Sequence, residues 1–385
     1  MKNNIFKLFI IITLLCVNAG YLLTAGDLID WNKAQQIYNK KKTGEQLSTE
    51  EQEYLQKAVQ ERQKTQAQGN KNNNMPGPGL NAGPQTLEGV LPLSELTAVY
   101  KGKDGGLYGK GNNEPPLSHR LLAEEAAKKI KLLDEKGNPS AGGKIVLLTI
   151  GMSNTSQESE AFIRLERNDS AKNPAVVIVN GAQGGMTANA WIPGSGLESK
   201  VWAAAEERMK NAGVSSLQVQ VVWLKQALAQ PAGKGGYPEH AKFLKAALRE
   251  LVKYAKIKLP NLQFIYLSSR IYGGYAATPL NPEPYAFESA FPVRELILEQ
   301  INGDKDLNAN ISGGEIKAPV LLWGPYLWGN GTTPRKSDGL VWNKEDLGPD
   351  GTHPSPSGTA KVATMLANFF KTDTNTKTWF LSSKQ

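Results

Sequence analysis

Five short apolar runs, each followed by a polar or glycine-rich cluster and then by a longer amphipathic stretch, restrict what this 385-residue chain can fold into. They are Lys144–Ile150, Ala175–Asn180, Leu217–Leu224, Leu262–Ser268 and Pro319–Gly324. Runs of this length, rich in β-branched residues, predict strands buried on both faces, as in a parallel sheet. Between and after them the apolar spacing predicts helices over Glu158–Arg167, Lys200–Asn211, Ala241–Lys256, Glu288–Ile301 and Ser357–Phe370. With no hairpin signal and no internal repeat, the alternation predicts an α/β chain: a three-layer α/β/α sandwich on a five-stranded parallel sheet.

A parallel sheet gathers the ends of its strands on one edge, where the departing loops leave a crevice for ligands. Here those ends are Gly151-Met152-Ser153-Asn154, Gly181-Ala182-Gln183-Gly184-Gly185, Lys225-Gln226, Ser269-Arg270-Ile271-Tyr272 and Pro325-Tyr326-Leu327-Trp328. Together they offer a hydroxyl nucleophile, a glycine turn whose N–H groups can approach an oxyanion, polar side chains to assist it, and aromatic rings to line a pocket. A serine becomes a nucleophile only with a base and a carboxylate to orient that base. Asp350-Gly351-Thr352-His353 supplies both in one turn before the last helix, with the carboxylate facing one ring nitrogen and the other ring nitrogen left for Ser153. The chain has three histidines, and His119 and His240 read as capping or surface groups. Trp191, Trp323 and Trp342 read as core or loop anchors. No metal-ligand spacing, phosphate loop or dinucleotide fingerprint is present, so no cofactor is expected.

The remaining segments bound the context. Residues 1–25 have the build of an export signal: a basic start, the stretch Leu8–Val17, then small residues at Ala19 and Ala25. Leu15 ahead of Cys16, the single cysteine, argues against a lipoprotein. After cleavage the chain would be exported, without a stable membrane span and without disulfides. Residues 26–67 read as two helices, Leu28–Lys42 and Thr49–Gln66, the second opened by a capping box at Ser48 and Glu51. Residues 68–87 read as a linker, and residues 27–83 are expected to be dispensable for chemistry. Residues 88–143 read as an irregular segment wrapped on the core plus a helix over Leu121–Leu133, and residues 144–385 as the main domain. The net charge of +8 falls to +6 without Lys2 and Lys7, and is spread among acids with no basic block, so nucleic acid is not an expected partner.

The order of Gly-x-Ser-Asn after the first strand, a glycine-rich turn after the second, and Asp-x-x-His before the last helix resembles the SGNH hydrolase superfamily, the GDSL-like esterases. The likeness runs over about Gly143 to Thr372, and Gly-Met-Ser-Asn is nearest in form to sialate O-acetylesterase-like members. The resemblance implies a flavodoxin-like sheet, Ser153 as nucleophile, His353 as general base and Asp350 as its orienting partner. It also implies an oxyanion hole drawing on Ser153 and a backbone N–H of Gly184 or Gly185. The family's asparagine after the third strand has no counterpart; Lys225 and Gln226 are the side chains that could donate in its place. Asn154, Arg270, Tyr272, Tyr326 and Trp328 are the candidates for substrate contact, through sugar stacking where they are aromatic, while Arg270, Tyr272, Tyr285, Glu288 and Trp328 read equally well as packing or lid support. The expected activity is hydrolysis of a small-molecule or polysaccharide ester, with O-acetyl groups on carbohydrate first. A non-catalytic carbohydrate- or envelope-binding protein of the same fold is the alternative, and a lipid-ester hydrolase comes third.

Overall fold

The computed structural model describes Ile37, Lys40, residues 46–58, Leu87 and residues 89–382. The export signal, most of the first expected N-terminal helix and almost all of the linker lie outside the described residues. The chain divides into two compact units, Met1–Gly79 and Leu80–Gln385. In the first, residues 49–58 are helical. Their start carries the expected capping box, with Ser48 N–H donating to Glu51 Oε2 at 3.0 Å and Glu51 N–H donating to Ser48 Oγ at 3.1 Å. Among the described residues no helix is long and apolar enough to cross a membrane.

The second unit is built on strands β1 (Ile145–Gly151), β2 (Val176–Asn180), β3 (Val219–Lys225), β4 (Phe264–Ser268) and β5 (Val320–Trp323). They form one sheet in the order β2-β1-β3-β4-β5 with every pair parallel. Every residue of β1, β3, β4 and β5 is buried, whereas the edge strand β2 is only partly so. This is why the sequence shows unbroken apolar runs and no in-out alternation. The α/β class and the five-stranded parallel sheet are thus as the alternation requires. Chain connections run outward to β2 from β1 but toward β4 from β3, so the crevice of such a sheet opens between β1 and β3. The register sets Gly151 opposite Lys225 there.

Helices cover the sheet in two layers. Helix α1 (Leu117–Ala127) packs near β5; α2 (Ser153–Glu166) follows β1, α3 (Glu198–Asn211) follows β2, and α4 (Glu239–Lys258) follows β3. After β4 come the single turn α5 (Tyr285–Glu288) and α6 (Ala290–Ile301), and after β5 come α7 (Pro356–Thr372) and the short α8 (Lys377–Phe380). One layer is α2 against α7, where Phe162 stacks on Phe370 at 5.8 Å and on Phe380 at 6.3 Å. Burying one such ring contributes on the order of 2 kcal/mol. The other layer joins α3, α4 and α6, with Trp202 edge-on to Trp191 at 5.3 Å and to Tyr254 at 6.1 Å.

Most strands and helices lie within one or two residues of the expected bounds, and three helices depart in a way that has a local cause. The helix expected over Leu121–Leu133 is α1, set four residues earlier by the extended Pro116 and ended at Ala127. Leu133 is drawn out of it by pairing with Lys144 (3.0 and 2.8 Å), and Lys131 by the Gln220 side chain (2.9 and 2.7 Å). The helix expected over Glu288–Ile301 is divided at Ser289, whose hydroxyl accepts from Arg270 N–H and donates to the Ala286 carbonyl. Helix α2 begins at Ser153, five residues before the expected start, because the weak helix formers Asn154, Thr155 and Ser156 hide the first turn from a pattern search.

Candidate active site

Helix α2 starts directly where β1 stops. Met152 is extended (φ −97°, ψ −160°) and its carbonyl accepts from Ser156 N–H at 2.9 Å, so Ser153 is the first helical residue. Its hydroxyl therefore sits at the positive end of the helix dipole, beside amides with no intrahelical acceptor. So tight a strand-to-helix junction requires Gly151. A Cβ there would overlap Thr155 Oγ1 and the Lys225 carbonyl, and Thr155 Oγ–H donates to that carbonyl at 2.9 Å.

Two hundred residues further on, the turn ahead of α7 brings up the histidine. The His353 Nε2 lies 2.7 Å from Ser153 Oγ, and its Nδ1 lies 2.5 Å from Asp350 Oδ2. With Nδ1–H donating to the carboxylate, the neutral ring accepts the serine proton at Nε2. Asp350 Oδ1 also accepts from the backbone N–H groups of Thr352 and His353, both at 3.0 Å. Partial burial favours the neutral acid, but these hydrogen bonds outweigh it and hold Asp350 below the ordinary carboxylate range. The carboxylate is therefore ionised at neutral pH. The side chains of His353 and Asp350 are 29% and 33% exposed, so the site is open to a substrate.

The turn depends on Gly351, held at φ +61°, where an added Cβ would overlap the Tyr275 carbonyl. Gly351→Ala is expected to cost about 1–3 kcal/mol of stability and to lower turnover at least roughly tenfold by moving the imidazole off Ser153. Thermal unfolding and kinetics on the purified variant check this. Wild-type turnover would mean that the turn tolerates the shift.

The glycine-rich turn after β2 lies alongside the serine. Gln183 N–H donates to the Gly151 carbonyl at 3.0 Å, and a Cβ on Gly184 would stand 3.9 Å from Ser153 Cβ. Gly185 follows at φ +76°. Among the described residues the N–H groups of Ser153, Gly184 and Gly185 donate to no other group, which leaves them available to an anion.

The side chains expected to assist that anion are placed differently. The Lys225 ammonium is fully buried and engages both carboxylate oxygens of Glu158, a residue of α2 that is also fully buried. Burial pulls Lys225 down and pushes Glu158 up, and each partner offsets part of the other's shift. Lys225 makes no hydrogen bond to Ser153 or His353. Gln226 Nε2–H donates to the Met186 carbonyl at 3.2 Å, tying β3 to the glycine-rich turn.

The expected substrate contacts also separate. Tyr272 and Trp328 are completely buried and Tyr326 is 6% exposed, so none offers a stacking face. Trp328 Nε1–H donates to Glu283 at 2.8 Å, and Tyr326 OH accepts from Leu93 N–H at 3.0 Å, holding the irregular segment on the core. Strand-end aromatics read as pocket walls because a sequence does not show that residues 89–116 cover Tyr326 or that Tyr272 and Trp328 pack inward on one another. Asn154 and Arg270 do come to the site but face inward, and both donate to the Thr352 carbonyl, at 2.9 and 3.3 Å. His119 and His240, expected as capping or surface groups, are instead 3% exposed and bonded to the Leu321 carbonyl (2.8 Å) and to Glu288 (2.7 Å). Trp191, Trp323 and Trp342 are buried anchors as expected.

Sequence reasoning missed Glu158, Thr155 and the Thr352 carbonyl. A signal for Glu158 existed: it repeats at i+4 and i+8 with Phe162 and Glu166 on the inward face of α2, and a carboxylate there requires a buried cation.

No protein-family model matches the chain, and no curated protein matches its sequence. Among solved structures it is similar to a lipase from a goat rumen metagenome, at 13% identity and a TM-score of 0.33 over 58% of this chain and 96% of that one. It is also similar to a gut microbial diltiazem-metabolizing enzyme, at 15% identity and a TM-score of 0.32 over 63% and 48% of the two chains. A third likeness is to a protein of Arabidopsis thaliana, at 17% identity and a TM-score of 0.28 over 55% and 67%. At these TM-scores the likenesses carry no weight in assigning a function.

Proposed function

We propose that the chain is a serine ester hydrolase of SGNH type that works through an acyl-enzyme on Ser153. One observation carries this reading: a strand-end serine, an imidazole and a carboxylate are joined by hydrogen bonds of 2.7 and 2.5 Å at the crevice edge of the sheet. Ser153 Oγ attacks the ester carbonyl carbon while His353 Nε2 takes the hydroxyl proton, and the carbonyl π electrons move onto oxygen. The free N–H groups of Ser153 and of Gly184 or Gly185 receive that oxyanion. The tetrahedral adduct collapses, the C–O bond to the alcohol breaks, and His353 returns its proton to the leaving oxygen. Water, activated by the same imidazole, then releases the acid. Asp350 stays ionised throughout and holds the imidazolium that forms in each step.

For the substrate we infer an O-acetyl ester of carbohydrate, on the Gly-Met-Ser-Asn resemblance alone, since the buried Tyr272, Tyr326 and Trp328 lend no stacking face to it. Action outside the cytoplasm follows from reading residues 1–25 as an export signal. The test is a fluorophosphonate probe followed by peptide mapping. One adduct on Ser153, absent when His353 is replaced by alanine, supports the acyl-enzyme. An unlabelled wild-type protein that still binds saccharide points instead to the binding-protein alternative.

A further inference from the structure

Beneath the triad lies a buried set of charges that acid–base chemistry at Ser153 does not itself require. Arg270, at the end of β4, is 3% exposed. Its Nη2–H donates to the Thr352 carbonyl at 3.3 Å, its backbone N–H donates to Ser289 Oγ at 3.1 Å, and its Nε–H has no partner. The guanidinium stands within electrostatic reach of Glu158, Glu283 and Asp350. Thr352 lies between Asp350 and His353, and its carbonyl takes a second hydrogen bond from Asn154, the residue after the nucleophile. The peptide carrying the imidazole is thus clamped from α2 on one side and from β4 on the other.

We propose that Arg270 is a positioning residue for His353: it fixes the Thr352 peptide together with Asn154, and its positive charge beside Asp350 disfavours a second positive charge on the imidazole. The charged groups within electrostatic reach of Arg270 are Glu158 on α2, Lys225 on β3, Glu283 in the segment after β4 and Asp350, and Asp350 is the one bonded to the histidine. Glu158 and Lys225 neutralise each other. Asp346, next along the chain on the same side, is paired with Lys361. That leaves two carboxylates, Asp350 and Glu283, against the single cation Arg270. Glu283 keeps three N–H donors of its own, from Gly273, Phe287 and Trp328, at 2.8 to 2.9 Å. Without Arg270 the Asp350 carboxylate bonded to the imidazole would lose a nearby cation, and the protonated imidazole would gain.

Asn154 and Arg270 share one acceptor but differ in charge, which separates bracing from electrostatics. Arg270→Met is expected to raise the acid limb of the kcat/KM profile by roughly half to one pH unit. It should also lower kcat about tenfold or more at the plateau, with KM little changed. Asn154→Ala is expected to lower kcat about tenfold and leave the limb where it is. Arg270→Lys keeps the charge without the fork, so its limb should stay near wild type while kcat falls. This third variant also serves if the methionine variant does not fold.

The kinetic arm rests on the ester-hydrolase reading, so the titration is also read directly. With three histidines in the chain, the imidazole nitrogens of His353 can be followed by NMR against pH, with no substrate. A higher His353 midpoint in Arg270→Met but not in Arg270→Lys supports the inference, even in a protein with no ester turnover. An unchanged midpoint in Arg270→Met overturns it, as does a change confined to KM, which would place Arg270 on the substrate.

Discussion

Turnover of a small acetyl ester is expected to fall by on the order of 10³-fold or more in Ser153→Ala, with the fold intact. The hydroxyl makes one hydrogen bond, to a His353 ring that is part-exposed and can turn to water instead, so removing it leaves no buried group without a partner. Stability should change by less than about 1 kcal/mol. The residual rate would come from the free N–H groups at the start of α2 and in the glycine turn, which can still polarise a bound ester toward water. Substrate affinity should hold, because the hydroxyl contributes to the transition state and little to the ground state. Steady-state kinetics with unfolding curves on the same preparation check the three statements together. Near-wild-type turnover in this variant would remove Ser153 from the chemistry, and with it the reading of the whole edge.

The backbone of this site was legible before its interior was. Unbroken apolar runs specify strands buried on two faces, so the parallel sheet and the shared edge followed from sequence. So did the meeting of Ser153 with Asp350 and His353, because the turn before α7 has to end on that edge. Residues whose role depends on which way a side chain turns were not legible. Tyr326 sits at the right edge yet points under residues 89–116, a segment whose glycines and prolines give no periodicity to show what it covers, and Trp328 packs inward on Tyr272 and Phe287. Asn154 and Arg270 are at the expected positions, but their polar ends meet the Thr352 carbonyl, a backbone group that no side-chain motif announces. Lys225 was misread most fully. Its place after an apolar strand suggested a donor at the crevice, whereas its partner sits five residues past the nucleophile on the buried face of α2.

Lys225 is also where the second large effect is expected, and it is one of stability. Lys225→Met removes the cation and leaves the Glu158 carboxylate at 0% exposure without its hydrogen-bonded counter-charge, a change that costs about 3–5 kcal/mol when one partner of a buried pair is lost. The folded protein can escape part of that cost by protonating Glu158, whose carboxyl burial already pushes upward. A carboxyl raised in the folded state binds its proton more tightly there than in the unfolded chain. The variant should therefore be most stable below the ordinary carboxylate range and lose stability as pH rises toward the folded value. Wild type should show less of this loss, since the ammonium offsets part of the effect of burial on its carboxyl. Lys225→Met combined with Glu158→Leu should recover most of the stability, because two apolar side chains replace the pair at similar volume. Turnover per folded molecule should stay within about tenfold of wild type in both, since the oxyanion is met by backbone N–H groups. Chemical unfolding at several pH values, with active-site titration to count folded enzyme, checks the set. A drop of 10² to 10³ in turnover with unchanged stability would show the opposite arrangement: an ammonium that leaves Glu158 to reach the oxyanion, with the pair as its resting position.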